Sequence, residues 1–235
     1  MLSGLRANLS LNARADAVEM LDSGDLSATE IERNLADLAR LNRLPGGTAA
    51  SIAGVQRLVG GVTSPRILDA GTGYGDIPLA FARRGWRTVG TDSNPEVLTL
   101  ARRQTADEPA IEMVAADART LPFDDSAFDV AHCSLLLHHL DPRDAVRTLE
   151  ELARVSTRGV VINDLRRGLL PLVATWASIM AFGRSPVTRH DGLISARRAY
   201  TLDELDGLIA RAGLSVKWRS DGWLPRVVTA AAVAS

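Results

Sequence analysis

Residues 66–76 read Arg-Ile-Leu-Asp-Ala-Gly-Thr-Gly-Tyr-Gly-Asp, a short apolar strand that runs straight into three alternating glycines. Glycine lets a backbone turn this tightly and leaves the bare peptide open to a ligand. The turn opens a helix predicted over 75–84, whose first N–H groups have no partner inside the helix and face the turn. A second strand, 87–91, ends on Asp92, where a carboxylate can accept hydrogen bonds from a ribose. A turn of this kind followed by an acidic strand end indicates a nucleoside-bearing ligand.

The same unit repeats along the chain. Strands are predicted at 66–70, 87–91, 111–115, 128–134 and 159–163, and helices at 75–84, 95–104 and 142–155. Asn94-Pro95 and Asp141-Pro142 each supply an N-cap and a first-turn proline. Apolar runs such as Val160-Val161-Ile162 suit a parallel strand covered on both faces. Strand–helix alternation implies a doubly wound α/β domain.

Ahead of it, Ser27-Ala-Thr-Glu30 is a capping box opening a helix to about Leu44, which Pro45-Gly46-Gly47 stops. A second helix covers about 48–59. These form an N-terminal helical cap, residues 1–62, before the main domain at 63–235. Residues 165–199 break the rhythm with an apolar helix, 169–182, flanked by arginines and followed by a Gly/Ser/Arg/His loop. Thr201-Leu-Asp-Glu204 caps a helix over 202–212. Two last strands, 214–219 and 226–234, have too short a connection for a parallel crossover and pair antiparallel.

Charge and cysteine content exclude some classes. The chain has net charge −1, but residues 166–199 hold six arginines against one aspartate, a local +5. No broad basic face for nucleic acid is expected outside that segment. One cysteine, Cys133, rules out a disulfide framework, and the four histidines show no metal-site spacing, so no metal is expected. The first 30 residues lack a signal-peptide core, and the longest mostly apolar stretch, 169–182, falls short of the roughly 20 residues of a spanning helix. A cytoplasmic protein without stable membrane insertion is the expectation.

A nicotinamide fingerprint needs G-x-G-x-x-G, and residue 76 is Asp. An aspartate at the helix start also repels a pyrophosphate competing for the same dipole end. A cofactor without phosphates and with a positive charge fits better.

Ile67-Leu-Asp-Ala-Gly-Thr-Gly-Tyr-Gly-Asp76, Val89-Gly-Thr-Asp92, Ala116-Asp117-Ala118, Leu121-Pro-Phe123, Phe128-Asp-Val130 and Leu137-His-His-Leu140 stand in that order. Over residues 65–165 this series resembles the class I S-adenosylmethionine-dependent methyltransferases, and among them the small-molecule branch that includes quinone-biosynthesis enzymes. The resemblance implies a Rossmann-like, mostly parallel seven-stranded sheet with its last strand antiparallel, and S-adenosylmethionine as cofactor. It also implies roles. Asp69 with Gly71, Thr72 and Gly73 would cradle the amino-acid end, Asp92 would take the ribose, and Ser93 would lie beside the adenine. Asp117 and Ala118 would meet the adenine edge, and Cys133 and Ser134 would line the path to the methyl group.

The candidate base is a histidine, since only imidazole titrates near neutral pH without help. His138, His139 and His190 are the candidates, and the residues do not choose among them. The 165–199 insertion is the expected substrate cover. Trp176, Met180 and Phe182 would form an apolar wall, and Arg166 and Arg189 would hold an anionic group of the acceptor. The alternative for this helix is a homodimer contact. The expected reaction is methylation of a small phenolic, enolic or polyketide- or quinone-like acceptor, at oxygen or at carbon. A cofactor-binding scaffold without turnover and a nicotinamide oxidoreductase are the competing readings.

Overall fold

The computed structural model describes Leu11, residues 13–220 and residues 225–233. Its elements in chain order are α1 (Met20–Ser23), α2 (Ala28–Leu41), α3 (Thr48–Val59), β1 (Arg66–Ala70), α4 (Asp76–Ala82), β2 (Arg87–Asp92), α5 (Pro95–Gln104) and β3 (Ile111–Ala115). There follow β4 (Val130–Ser134), a 3-10 turn (Leu137–His139), α6 (Pro142–Arg154), β5 (Val160–Leu165), α7 (Leu169–Phe182), α8 (Pro186–Arg198), α9 (Leu202–Arg211), β6 (Leu214–Arg219) and β7 (Arg226–Val233).

The described strands form one seven-stranded sheet in the order β3-β2-β1-β4-β5-β7-β6. Strands β1 to β5 pair in parallel, and β7 runs antiparallel to both β5 and β6. The chain moves outward from β1 to β3, then returns to place β4 on the other side of β1. That reversal opens a crevice beyond the carboxyl ends of β1 and β4, where open α/β sheets bind ligands.

Both faces of the sheet are covered, as the continuous apolar strands require. On one side α6 and α9 pack Leu149, Leu152, Leu205 and Ile209 onto Leu68, Ala131 and Ile162. On the other, α3 and α4 set Val55, Val59, Ile77 and Phe81 against Ile67, Val130 and Val161. The α2 helix packs Ile31 and Leu35 against Val97 and Leu100 of α5, so it overhangs the carboxyl edge of the sheet. Its capping box is formed by Ser27 and Glu30 as the sequence predicts.

Several expectations are corrected. The segment after Phe182 is a helix, α8, where composition suggested a loop. Its start carries ordinary signals, Ser185 as N-cap and Pro186 in the first turn. Gly192 in its middle is a packing residue: a Cβ there would lie 2.2 Å from Ile179 Cδ1 of α7. Helix α2 stops at Leu41, three residues early, because the Asn42 carbonyl turns to accept the Thr48 N–H at 2.8 Å. Strand β4 begins at Val130, since Phe128 forms only an isolated bridge to Ser156. The predicted last strand reaches residue 234, which lies outside the described residues, as do residues 1–10 and 12 of the predicted cap. Among the described residues, no helix is long and apolar enough to cross a membrane.

Candidate active site

Two cavities meet above the β1–β4 crevice. The first, of about 350 Å³, is lined by the glycine turn, the ends of β2 and β4, and α2. Gly71 and Gly73 hold φ of +68° and +55°, the left-handed region that glycine enters without strain. A Cβ on Gly73 would meet nothing nearer than Leu35 at 3.9 Å, so the peptide's bare face opens into the cleft.

Asp69 governs the turn from beneath. It is 1% exposed; one oxygen accepts from Thr72 Oγ at 2.8 Å, and the other lies 2.6 Å from Nδ1 of His132. His132 continues to Ser51 Oγ at 2.9 Å, which in turn accepts from Asn163 Nδ2 at 2.7 Å. A buried polar chain thus ties the turn to β4, β5 and α3, each group finding the partner that burial demands.

Asp92 accepts the Gly73 N–H at 3.2 Å and the Asn94 N–H at 3.0 Å. Burial pushes its carboxyl above the ordinary aspartate range, against the pull of those N–H groups. Burial likewise raises Asp76, although Asn42 donates to it at 3.0 Å. Asp117 stands at the cleft's outer wall beside Ala118, with hydrogen bonds from Arg119 holding its carboxyl below the usual range. Asp69, Asp76, Asp92 and Asp117 therefore line the cleft against Arg119 as its arginine. Such a site favours a ligand of positive charge and disfavours phosphates.

Ser93 and Ser134 also line this cleft. Ser134 Oγ accepts from Arg226 at 2.6 Å, and Arg226 also donates to Asn163 Oδ1 at 2.9 Å and to Asn42 Oδ1. Burial pushes the Arg226 guanidinium down to about 10. Cys133, expected on the methyl path, is 1% exposed in the core, and burial drives its thiol well above its ordinary range. Successive strand residues face opposite sides, so only Ser134, at the strand end, reaches the cleft.

The second cavity, about 450 Å³, lies between α2, α7, α8 and the 3-10 turn and is lined mainly by apolar groups. It shares Leu21, Leu38, Leu135 and His139 with the first, and His139 is the polar member of that set. Leu135 has φ +54°, a conformation a leucine rarely adopts, and it turns the chain from β4 toward the histidines. His138 is buried, its Nδ1 2.6 Å from Asp164 Oδ1. Burial opposes ionisation of Asp164, but the charge and hydrogen bond of His138 prevail and hold its carboxyl low.

The remaining candidates lie elsewhere. His190 is exposed on α8 beside Asp191 and lines neither cavity. Trp176 and Met180, expected as the acceptor wall, are 51% and 41% exposed on the outer face of α7. The opposite face of that helix, with Ala174, Ser178 and Phe182, lines the apolar cavity, so of the expected wall Phe182 is the member found there. A helix has one inward stripe, and α7 is apolar all round, so its sequence gave no means of telling which side faces inward. Arg166 and Arg189 line neither cavity, and Arg189 donates to Gly183 O at 3.2 Å. The arginines here chiefly hold backbone: Arg167 donates to Leu11 O and Ala199 O, and Arg198 to Ala17 O and His139 O.

Sequence reasoning missed Glu19, Leu135, Asp164 and Arg226. It also missed His132, whose place inside the apolar strand Val130-Ala131-His132-Cys133 was a signal, since a buried imidazole needs a partner. Glu19 lies in a stretch without periodicity and offered none.

Residues 67–159 match a protein-family profile described as methyltransferase domain. The chain is 38% identical over 120 residues to a demethylmenaquinone methyltransferase of Clavibacter sepedonicus, covering 50% of this chain and 48% of that protein. It thus spans about half the length of that relative. It is 30% identical to a demethylmenaquinone methyltransferase of Thermobifida fusca over 67% of this chain and 68% of that one. A SAM-dependent methyltransferase from Aquifex aeolicus shares the fold with a TM-score of 0.63 at 17% identity, over 89% of this chain and all of that one.

Proposed function

The chain belongs to the class I S-adenosylmethionine-dependent methyltransferases, and from that membership we propose that it methylates a small, largely apolar acceptor bearing a phenolic or enolic hydroxyl, of quinone or polyketide type. When bound, S-adenosylmethionine supplies a methyl group already activated on a sulfonium. The acidic cleft, the bare Gly73 peptide and Asp92 at the end of β2 fit that cofactor in charge and in donor set. In this reading Asp69, Gly71, Thr72 and Gly73 hold its amino-acid end, Asp92 its ribose, and Ser93, Asp117 and Ala118 its adenine.

The observation that carries the acceptor half is the position of His139, in the walls of both cavities. An acceptor in the apolar cavity presents its reacting atom at that seam, with His139 as the polar group it meets. Helices α7 and α8 close over the acceptor and keep water from it, and positioning of this kind supplies much of the rate when the donor is already activated. O-methylation follows from a hydroxyl held at His139, whereas C-methylation would need a ring carbon turned to the same point. The names of the demethylmenaquinone relatives favour a quinone-like ring without choosing the atom.

Calorimetric titration with S-adenosylhomocysteine should show one site, with NADH silent. A panel of hydroxyquinones, phenols and polyketide enols, with products assigned by mass and NMR, should give transfer to oxygen. Binding without turnover on the whole panel would leave a cofactor-binding scaffold instead. His139→Ala should lower turnover on the order of 10²-fold, and His190→Ala should leave it unchanged; equal rates in both would remove His139 from the mechanism.

A further inference from the structure

Glu19 is out of place for a carboxylate. It is 3% exposed, and its Oε1 is buried without a hydrogen-bond partner among the described residues. Burying such a group costs several kcal/mol unless something compensates. Two imidazole nitrogens stand nearby. Nε2 of His138 is 4.0 Å from Glu19 Oε1, and Nδ1 of His139 is 3.8 Å from it. These spacings are too long for hydrogen bonds. One ligand atom from each residue nevertheless lies within 4.8 Å of the others, a separation that one shared ion can bridge.

We propose that Glu19, His138 and His139 form a site for one divalent transition-metal cation at the seam of the two cavities. Two imidazoles and a carboxylate suit zinc, iron or cobalt and not magnesium or calcium, which take mostly oxygen. Bond lengths of roughly 2.0–2.2 Å would draw the three donors inward. The surroundings are built for it. Asp164 engages Nδ1 of His138 at 2.6 Å, which fixes the ring and turns Nε2 toward Glu19. This is the carboxylate–histidine–metal arrangement of known sites. Asp164 is itself held by the Leu137 and Leu165 N–H groups. All three ligands line the apolar cavity, so the cation's open positions face the acceptor. On the proposed methyl-transfer reading, the cation would hold the acceptor's oxygen as its O–H bond breaks, and a water molecule carried on another open position of the cation would take the proton. His139 then meets the acceptor through the metal. Glu19 lies 119 positions before His138, which is why no spacing motif revealed the set.

Chelator-treated full-length protein titrated with zinc, and separately with cobalt followed by its visible spectrum, tests the site. One cation per chain is expected, with magnesium failing to compete. Glu19→Gln should abolish saturable binding, and Asp164→Asn should weaken it roughly 10–100-fold. Circular dichroism and S-adenosylhomocysteine binding should persist in Glu19→Gln, because Glu19 does not line the cofactor cleft. Absence of saturable zinc or cobalt binding by the wild type overturns the proposal, as does unaltered affinity in Glu19→Gln. If that variant does not fold, the wild-type cobalt spectrum decides: bands of a site with nitrogen ligands support it, and those of hydrated cobalt sink it. Cation binding without S-adenosylhomocysteine binding would sink the functional reading and leave the metal site standing; the converse would sink the site alone.

Discussion

Asp69 and His132 are register partners on β1 and β4, and their side chains meet in the interior with Nδ1 of His132 2.6 Å from Oδ1 of Asp69. The pair sits directly under the glycine turn, because the other Asp69 oxygen holds Thr72. His132→Leu removes a partner from a buried carboxylate and should cost about 3–5 kcal/mol in urea unfolding. His132→Asn, which keeps a donor, should cost less. Affinity for S-adenosylhomocysteine should fall with the leucine change, since the turn loses its anchor. A leucine variant as stable as the wild type would show that the pair contributes nothing.

Asp92→Ala should weaken S-adenosylhomocysteine binding by about 2–3 kcal/mol through loss of a charged acceptor. The ionised form does the accepting, and burial raises its pKa. Wild-type affinity should therefore decline on acidification at a pH above the ordinary aspartate value of about 3.9. Stability without ligand has the opposite sense. A carboxyl with a raised folded pKa contributes stability that is complete below the unfolded value and is lost as pH rises through the folded value. Asp92→Asn, which does not titrate, should thus lose less stability than the wild type as pH rises towards neutral, while binding more weakly because its amide nitrogen cannot accept the hydrogen bond that the second carboxylate oxygen takes. Calorimetry across pH and thermal melts read both effects.

Gly73→Ala and Gly85→Ala form a matched pair. Both residues have positive φ, +55° and +79°, so each substitution should cost about 1–2 kcal/mol in backbone strain. Gly85 has open space around it and lies away from the cleft. Only the Gly73 methyl enters the cleft, so only that variant should lose S-adenosylhomocysteine affinity. Equal affinity in both would mean that the peptide face at Gly73 does not touch the cofactor.

Arg226→Met should destabilise the fold by about 3 kcal/mol, because Asn163, Asn42 and Ser134 lose a shared buried donor. The same change frees Ser134 in the cleft wall, so methyl transfer should slow beyond any loss of folded protein. Rates normalised to folded fraction separate the two effects.

Local signals were enough for much of this molecule. The glycine turn, the capping boxes at Ser27 and Thr201, and the proline starts at Pro95 and Pro142 act within a few residues, and each appears where the sequence places it. The segment carrying α8 misled because its Gly, Ser and His suggested a loop, whereas Ile179 of α7 packs onto Gly192 and steadies the helix. His138 and His139 were legible as a pair, but their unequal places were not. One is locked to Asp164 in the interior, and the other stands between two cavities.

The amino-acid order alone settled what depends on neighbours in the chain: strand–helix alternation, the left-handed glycine turn and the acidic residue ending β2. Those are short-range effects of backbone sterics and side-chain capping. Which face of α7 looks inward, that His132 lies under Asp69, and that Glu19 meets the two histidines were decided by packing. Such contacts join residues tens of positions apart, and the energy that selects them is shared across the whole core.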